Sequence, residues 1–300
     1  MIIEIPEPND FFDQGKELFV SSWKTIVDFL EGVEYGNNNA DELEFCEDEY
    51  WKRSFSYLSL ALSTIQHGVE LTLKGIICEI SPFLLISSHN FNWSCYSTDI
   101  EFSEFKTIDA SKLLEVCKKV SNRSFSNDFH EKYDEMRKLR NKIIHSVDKN
   151  IKKDSVYVLD TLLFMHSKLF PEKSWRKTRA SCLMKEPYTL IGADEFHTNR
   201  LSFEFELAIS RLPADKVKRY FNVDKNLPAY YCPECYNCAN TEGGFEHKLA
   251  RFTSNAPDCT TLYCPVCEQD YEIERGVCSS CSGQILSKDG LCLECARWQK

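Results

Sequence analysis

No run of apolar residues in the chain approaches the roughly 18 that a membrane-crossing helix requires, so a helical span is excluded. A basic excess is also missing: 36 Lys+Arg stand against 46 Asp+Glu, a net charge of -10 with a pI near 5.3. The surface as a whole therefore does not attract polyanions, and any nucleic-acid site must be a local basic patch. The opening Met-Ile-Ile-Glu-Ile-Pro-Glu-Pro-Asn-Asp lacks the basic stretch and apolar core of a secretory signal, from which a cytoplasmic location is expected. No P-loop, G-x-S-x-G, H-E-x-x-H or G-x-G-x-x-G occurs, and no internal repeat or low-complexity tract.

What the chain does have is length, a mixed composition and cysteine. At 300 residues, 43% apolar and 27% charged, it is a globular protein with more than one module. Apolar positions at helical spacing mark residues 10 to 34, and the acidic, Asn-rich run 36 to 49 reads as a loop. Helical patterns follow at about 50 to 79, stopped by Ser81-Pro82, then at 110 to 120 behind Thr107 and Asp109, at 128 to 147 and at 154 to 169. Residues 87 to 106 read as an irregular insertion. Residues 201 to 207 (Leu-Ser-Phe-Glu-Phe-Glu-Leu) alternate as a strand does, and 213 to 221 reads as a short helix. The expected fold class is mainly α, an antiparallel helical bundle followed by a small zinc-stabilised β-ribbon module. The expected domains are an N-terminal helix and acidic loop (1–49), a helical domain (50–170), a connector (171–231) and a cysteine-rich module (232–300).

Of fifteen cysteines, Cys46, Cys78, Cys95, Cys117 and Cys182 are scattered singly, as small buried hydrophobes are, and ten crowd into the last 69 residues. Eight of those form four C-x-x-C knuckles. A two-residue spacer aims both thiolates of a tight turn at one tetrahedral ion, so two knuckles complete a site. Pairing neighbours gives one zinc site from Cys232, Cys235, Cys264 and Cys267 and a second from Cys278, Cys281, Cys292 and Cys295, two zinc ions per chain. Disulfides do not suit a reducing compartment, and redox C-x-x-C pairs would need a thioredoxin-like βαβ pattern that is not there. Four thiolates leave no open coordination position, so the zinc is structural. Cys238 and Cys259 are spare, and either could replace a ligand of the first site. This module carries ten acidic and six basic residues, which favours contact with a protein partner over phosphate binding.

In the segment 133 to 145, Met136, Leu139, Ile143 and Val147 share a helical face that should enter a core. Arg137, Asn141 and His145 share another, with Arg140 at its edge. An imidazole beside a guanidinium is what phosphodiester cleavage without a metal requires: a base for the 2'-hydroxyl and fixed positive charge for the phosphorane. A solvated helix face is the plain alternative. The run Lys173, Arg176, Lys177, Arg179 with Trp175 is locally basic and either guides RNA or is a solvated linker. His67, His89, His130, His166, His197 and His247 lack motif spacing and read as surface or core residues.

The run Arg140-Asn141-Lys142-Ile143-Ile144-His145 resembles the R-x(4-6)-H motif of HEPN-superfamily domains, a group that includes many metal-independent ribonuclease toxins. The earlier His67-Gly68-Val69-Glu70-Leu71-Thr72-Leu73-Lys74 is similar to the E-x3-K run on a helix beside that motif, and Pro82-Phe83-Leu84-Leu85 also looks like the family. The resemblance covers roughly residues 50 to 170 and does not reach the cysteines. It implies a domain that dimerises so that two motifs face one cleft, with His145 as general acid/base, Arg140 as phosphate ligand, Asn141 as orienting group, and Glu70 and Lys74 in support. It also implies an RNA substrate, no metal in catalysis, and a toxin or phage-defence role. Val147 departs from the R-x4-H-x-Y form of toxins paired with nucleotidyltransferase antitoxins. Without the resemblance, Glu70 and Lys74 read as an i, i+4 surface ion pair. The competing function is a non-catalytic RNA-binding or protein-interaction adaptor.

Overall fold

The computed structural model describes residues 1–87, 99–145, 154–187, 194–239 and 244–299, with backbone only for 143–145 and 194–196. It is mainly helical, with a small antiparallel sheet near the C-terminus. The chain divides into two compact units, Met1–Phe29 with Gly36–Pro171, and Leu30–Tyr35 with Glu172–Lys300.

In the first unit, β1 (Ile2–Ile3) leads into α1 (Pro8–Asn38), the short α2 (Ala40–Leu43) and the long α3 (Glu47–Cys78). A 3-10 turn, Pro82–Leu85, follows; then β2 (Ile100–Glu101), paired parallel with β1, a second 3-10 turn (Phe102–Glu104), α4 (Ala110–Val120), α5 (Asn127–His145) and α6 (Ser155–Leu169). Leu58, Leu62, Ile65, Val69, Leu73 and Ile76 recur every three or four residues along α3 and are buried, which fixes the face it turns inward. Ser81-Pro82 ends it because the residue before a proline is pushed out of helical geometry: Ser81 has φ -167° and ψ 130°. Asp154 caps α6, its carboxylate accepting the Tyr157 N–H at 2.9 Å. Asp109 stands at the N-cap of α4 without a side-chain bond, and the Thr107 hydroxyl oxygen accepts a hydrogen bond from Lys74.

Helix α1 runs antiparallel to α3: Ser22 Oγ donates to the Ala61 carbonyl, while Gly15 meets Gly68. A Cβ on Gly15 would lie 2.6 Å from Thr72 Oγ1 and 3.1 Å from the Gly68 carbonyl oxygen, so glycine permits this crossing. Alanine there would gain about 1 kcal/mol of helix propensity, but separating two packed helices costs about 1–3 kcal/mol. Chemical denaturation of Gly15→Ala should show a net loss of up to about 2 kcal/mol, and a raised midpoint would mean the crossing relaxes freely.

Two expectations for this half change. The segment read as a loop from residue 36 is helical to Asn38, because the Phe45 ring lies directly on Gly36, and it then forms α2. Of residues 87 to 106, those from 88 to 98 lie outside the described set, and the rest hold β2 and a 3-10 turn.

The second unit holds α7 (Trp175–Leu183), α8 (Asp194–Arg211), α9 (Ala214–Phe221), α10 (Pro233–Cys238) and an antiparallel sheet of β3 (Arg251–Phe252), β4 (Thr261–Cys264), β5 (Gln269–Arg275) and β6 (Ile285–Ser287), in that order. The strand expected at 201 to 207 is instead the middle of α8. Leu201, Phe205, Ala208 and Leu212 are buried at helical spacing, and Glu204, which wrote the alternation, is buried too. Its carboxylate takes two bonds of 2.8 Å from the guanidinium of the fully buried Arg179 and one of 2.9 Å from Arg200. Arg179 also holds Glu186 at 2.7 Å.

Of the basic run after Pro171, this network takes up Arg179. Trp175 is buried, Arg176 donates to the Val266 carbonyl at 2.7 Å and Lys173 reaches Ser181, while Lys177 is exposed. Removing one member of a buried charge network strands the others, at about 3–5 kcal/mol. Arg179→Leu should lower the stability of this unit by that amount in a denaturant titration; a loss under 1 kcal/mol would show that Glu204 is already neutral.

Candidate metal centres

The first cysteine cluster joins a helix start to a hairpin. Cys232 is the N-cap of α10 with Pro233 in the first turn, where a missing N–H costs nothing, and the Cys235 N–H points back at Cys232 Sγ, 3.4 Å away. Cys264 ends β4 opposite Gln269, which folds Cys267 into the turn between β4 and β5. The sulfurs of Cys232 and Cys267 stand 3.7 Å apart, as do those of Cys235 and Cys264, and all four lie within 4.8 Å of one another. The second cluster hangs from the ends of β5 and β6, with Cys278 and Cys295 at 3.7 Å and Cys281 and Cys292 at 3.7 Å.

These distances decide between three chemistries. A disulfide needs sulfurs about 2.05 Å apart, and all eight cysteines are free. Unconnected buried thiols need not converge four at a time. Around a tetrahedral ion with metal–sulfur bonds of about 2.3 Å, neighbouring sulfurs stand about 3.8 Å apart, which is the spacing seen in both clusters. Both sets are geometrically compatible with two structural metal ions.

The backbone supports the same conclusion. In three of the knuckles the residue after the second cysteine is left-handed: Glu268 (φ 58°), Ser282 (φ 59°) and Ala296 (φ 57°). Each returns its N–H to the carbonyl of the first cysteine, at 2.9, 3.1 and 2.8 Å respectively. Such strain persists in non-glycine residues where the surroundings enforce it. Donors also converge on the sulfurs: Tyr271 Oη at 3.2 Å from Cys267, Ser280 N–H at 3.3 Å and Gln299 Nε2 at 3.2 Å from Cys278, and Gly283 N–H at 3.4 Å from Cys281. Donors to sulfur favour the thiolate and orient it, as outer contacts of a metal site do.

The thiols within each cluster perturb one another strongly. Hydrogen bonding with Cys232 and the other neighbouring thiols pushes Cys235 and Cys264 far above the usual thiol range while pulling Cys267 far below it. A metal ion bound there would have all four as thiolates, its positive charge offsetting theirs. In the second cluster the Ser280 N–H pulls Cys278 down to about 6, while burial pushes Cys295 up to about 12.

Neither spare cysteine belongs to a cluster. Cys238 is exposed and donates to Glu234, and Cys259 lies on the loop before β4 against Thr253. The open register of the first site closes on Cys232, Cys235, Cys264 and Cys267. Tyr271 and Gln299 carried no signal in the sequence except the place of each within four residues of a ligand.

Met136 and Leu139 of α5 are buried as expected, together with Phe129 and Tyr133. The Ile143 side chain and Val147 lie outside the described residues, as does the side chain of His145, the last residue of the helix. Arg140 is half-buried and Asn141 exposed. Arg137 reaches Asp134 at 3.5 Å, while its buried Nε has no hydrogen-bond partner among the described residues. On α3, Glu70 and Lys74 do not close the expected ion pair. Fully buried Gln66 donates to Glu70 at 2.9 Å, and Lys74 donates to Thr107 at 3.0 Å. Burial depresses the Lys74 pKa against the opposing pull of Glu70. Glu70 also helps to hold the Tyr133 phenol above its usual range, after burial, so α3 turns this carboxylate toward α5. Among the described residues, no hydrogen bond or ion pair joins Glu70 or Lys74 to Arg140 or Asn141.

No family model, curated protein or solved structure matches this chain. Among the described residues no helix is long and apolar enough to cross a membrane.

Proposed function

We propose that the chain is a metal-independent endoribonuclease whose chemistry sits on α5, joined to a module held by two zinc ions. Zinc suits both clusters because soft thiolates in closed tetrahedral sets favour it. With every position taken by sulfur, neither ion has a place for a reacting water, so the reaction belongs to side chains elsewhere.

The observation that carries the ribonuclease reading is Arg140. It is half-buried on a helix of the first unit and has no carboxylate partner among the described residues, in a chain of net charge -10. A guanidinium in that position is available to a phosphate. Asn141 follows it, and His145 stands four residues beyond Asn141, one helical turn away. In the reading supported by the HEPN resemblance, one copy of His145 takes the proton of the ribose 2'-hydroxyl. The 2'-oxygen attacks phosphorus, Arg140 balances the negative charge that develops, and the His145 of a second copy protonates the leaving 5'-oxygen. The products are a 2',3'-cyclic phosphate and a 5'-hydroxyl. A homodimer supplies the two copies, and a toxin or phage-defence role follows. The experiment is incubation of the purified, zinc-loaded chain with total RNA in EDTA, with end-group analysis of the fragments. A verified dimer that cleaves no RNA would move the reading to a non-catalytic adaptor.

A further inference from the structure

The acidic run between α1 and α3 takes no part in metal binding or in the α5 chemistry. Residues 41 to 49 hold Asp41, Glu42, Glu44, Glu47, Asp48 and Glu49 and no base. Glu49 pairs with Arg53, and Glu47 accepts from the Trp51 indole. Asp41, Glu42, Glu44 and Asp48 are exposed and join no ion pair among the described residues. The helix dipole accounts for acids in the first turns of α2 and α3, but not for so dense a run without a base.

An apolar surface continues from these acids along α3. Leu43 of α2 is 51% exposed, and α3 presents Tyr57 at 55% and Leu60 at 64%, three residues apart and so on one face. A row of rings joins the two ends within the first unit. Phe45 meets Tyr50 at 5.7 Å between centroids, Tyr50 meets Phe29 at 6.0 Å, and Phe29 meets Tyr57 at 5.2 Å. The Tyr50 hydroxyl donates to the Phe29 carbonyl at 3.1 Å, which fixes the middle of the row. From Asp48 to Leu60 the surface extends about 18 Å along the helix axis. Scattered apolar side chains on a surface need no explanation, but a connected strip bordered by charge of one sign is what a docking site presents.

We infer that this face docks an amphipathic helix of a partner protein whose polar edge is basic. Charge selects the occupant. A nucleic acid or an anionic lipid surface would meet like charge, and a second copy laid on the same face about a two-fold axis would set these acids against themselves. A helix with apolar side chains at i, i+3 and i+7 can lie on Tyr57 and Leu60 while Lys or Arg on its flank meets the acids. About 12 residues of helix match the 18 Å strip. The inference does not rest on the ribonuclease reading.

The probe is a fluorescein-labelled helical peptide of about 15 residues, Leu on one face and Lys on the other, titrated into the full zinc-loaded chain and followed by anisotropy. Its counterpart has Glu in place of every Lys. The Lys peptide should bind and the Glu peptide should not. Tyr57→Ala with Leu60→Ala should raise Kd about 10-fold, as truncating two side chains that become buried requires. Glu44→Gln with Asp48→Asn should raise it about 5-fold at about 0.1 M salt and flatten its salt dependence. The control is Glu4→Gln with Glu7→Gln. These two exposed acids flank Pro6, whose carbonyl accepts from Cys78 at the far end of α3, about 45 Å along the axis from Asp48. At about 0.1 M salt charge is screened beyond about 10 Å, so this pair should leave Kd unchanged. Equal weakening by the two acid pairs would mean that the peptide senses only net charge, and would overturn the inference. So would a Kd indifferent to Tyr57→Ala with Leu60→Ala in protein of unchanged circular dichroism. A dimer in light scattering that Leu60→Ala dissociates would give the face to a second copy instead, and Leu60-dependent binding to phosphatidylserine vesicles would give it to a membrane; either result defeats the proposal.

Discussion

Metal analysis of the purified chain should return about two ions per molecule, and Cys264→Ser should return about one. Cys264 is the informative position because it is 1% exposed and ends β4, so its loss opens a buried site. Binding free energy at a structural thiolate site is largely folding free energy, about 10–16 kcal/mol for zinc-finger peptides near neutral pH. A domain is stable by only about 5–15 kcal/mol. One lost site therefore exceeds what the second unit can spare. The β4–β5 hairpin should unfold, and because Arg176 of α7 is bonded to Val266 inside the knuckle, the disturbance should reach α7. The first unit has its own core, so most helical circular dichroism should survive while limited proteolysis erodes the chain beyond Pro171. Cys238→Ser and Cys259→Ser lie outside both clusters and should keep two ions. Soluble, undamaged protein with no bound metal would defeat this account.

The knuckles were legible in the sequence because a two-residue spacer determines local geometry before any tertiary contact forms. The groups around them were not. Tyr271 reaches Cys267 through the register of β4 and β5, and Gln299 reaches Cys278 from 21 residues away. The same division between local and distant causes explains the helices. α4 and α6 were readable from apolar spacing, but residues 201 to 207 of α8 were read as a strand because Ser202 and Glu204 looked solvent-facing. Both are buried, and what buries Glu204 is an arginine 25 residues upstream. The partners of Lys173, Arg176 and Arg179 were likewise not legible, since they lie in α7, the β4–β5 turn and α8. For the α5 motif, the sequence supplied the residue types and the helix. It did not show that Lys74 would turn to Thr107, which follows from how α3 meets the chain before α4, or that Glu70 would take its i, i+4 bond from Gln66 on the N-terminal side instead of from Lys74.

The ribonuclease reading stands or falls on His145→Ala. A general acid/base typically contributes about 10²- to 10⁴-fold to rate, so this variant should lose observable cleavage of total RNA. Arg140→Ala should lose nearly as much, because charge aimed at the developing phosphorane is worth about 10²- to 10³-fold where a single donor has been removed from other enzymes. Both changes should leave the first unit folded, since its core is built from Phe129, Tyr133, Met136 and Leu139 on the same helix. Thermal unfolding of the Arg140→Ala first unit should shift by no more than a surface substitution does, about 0.5 kcal/mol. The measurement needs wild-type and variant protein with two metals each, EDTA in the reaction, light scattering to establish the dimer, and identification of fragment ends. Fragments should end in a 2',3'-cyclic phosphate, as attack by the neighbouring hydroxyl demands. A 3'-hydroxyl end would mean that an external water attacked, which the proposed arrangement does not provide for. Cleavage that survives His145→Ala unchanged would place the chemistry elsewhere or in a contaminant. Loss of cleavage in His145→Ala with Kd for RNA preserved would separate the proton-transfer role from mere binding, the distinction on which the assignment of His145 depends.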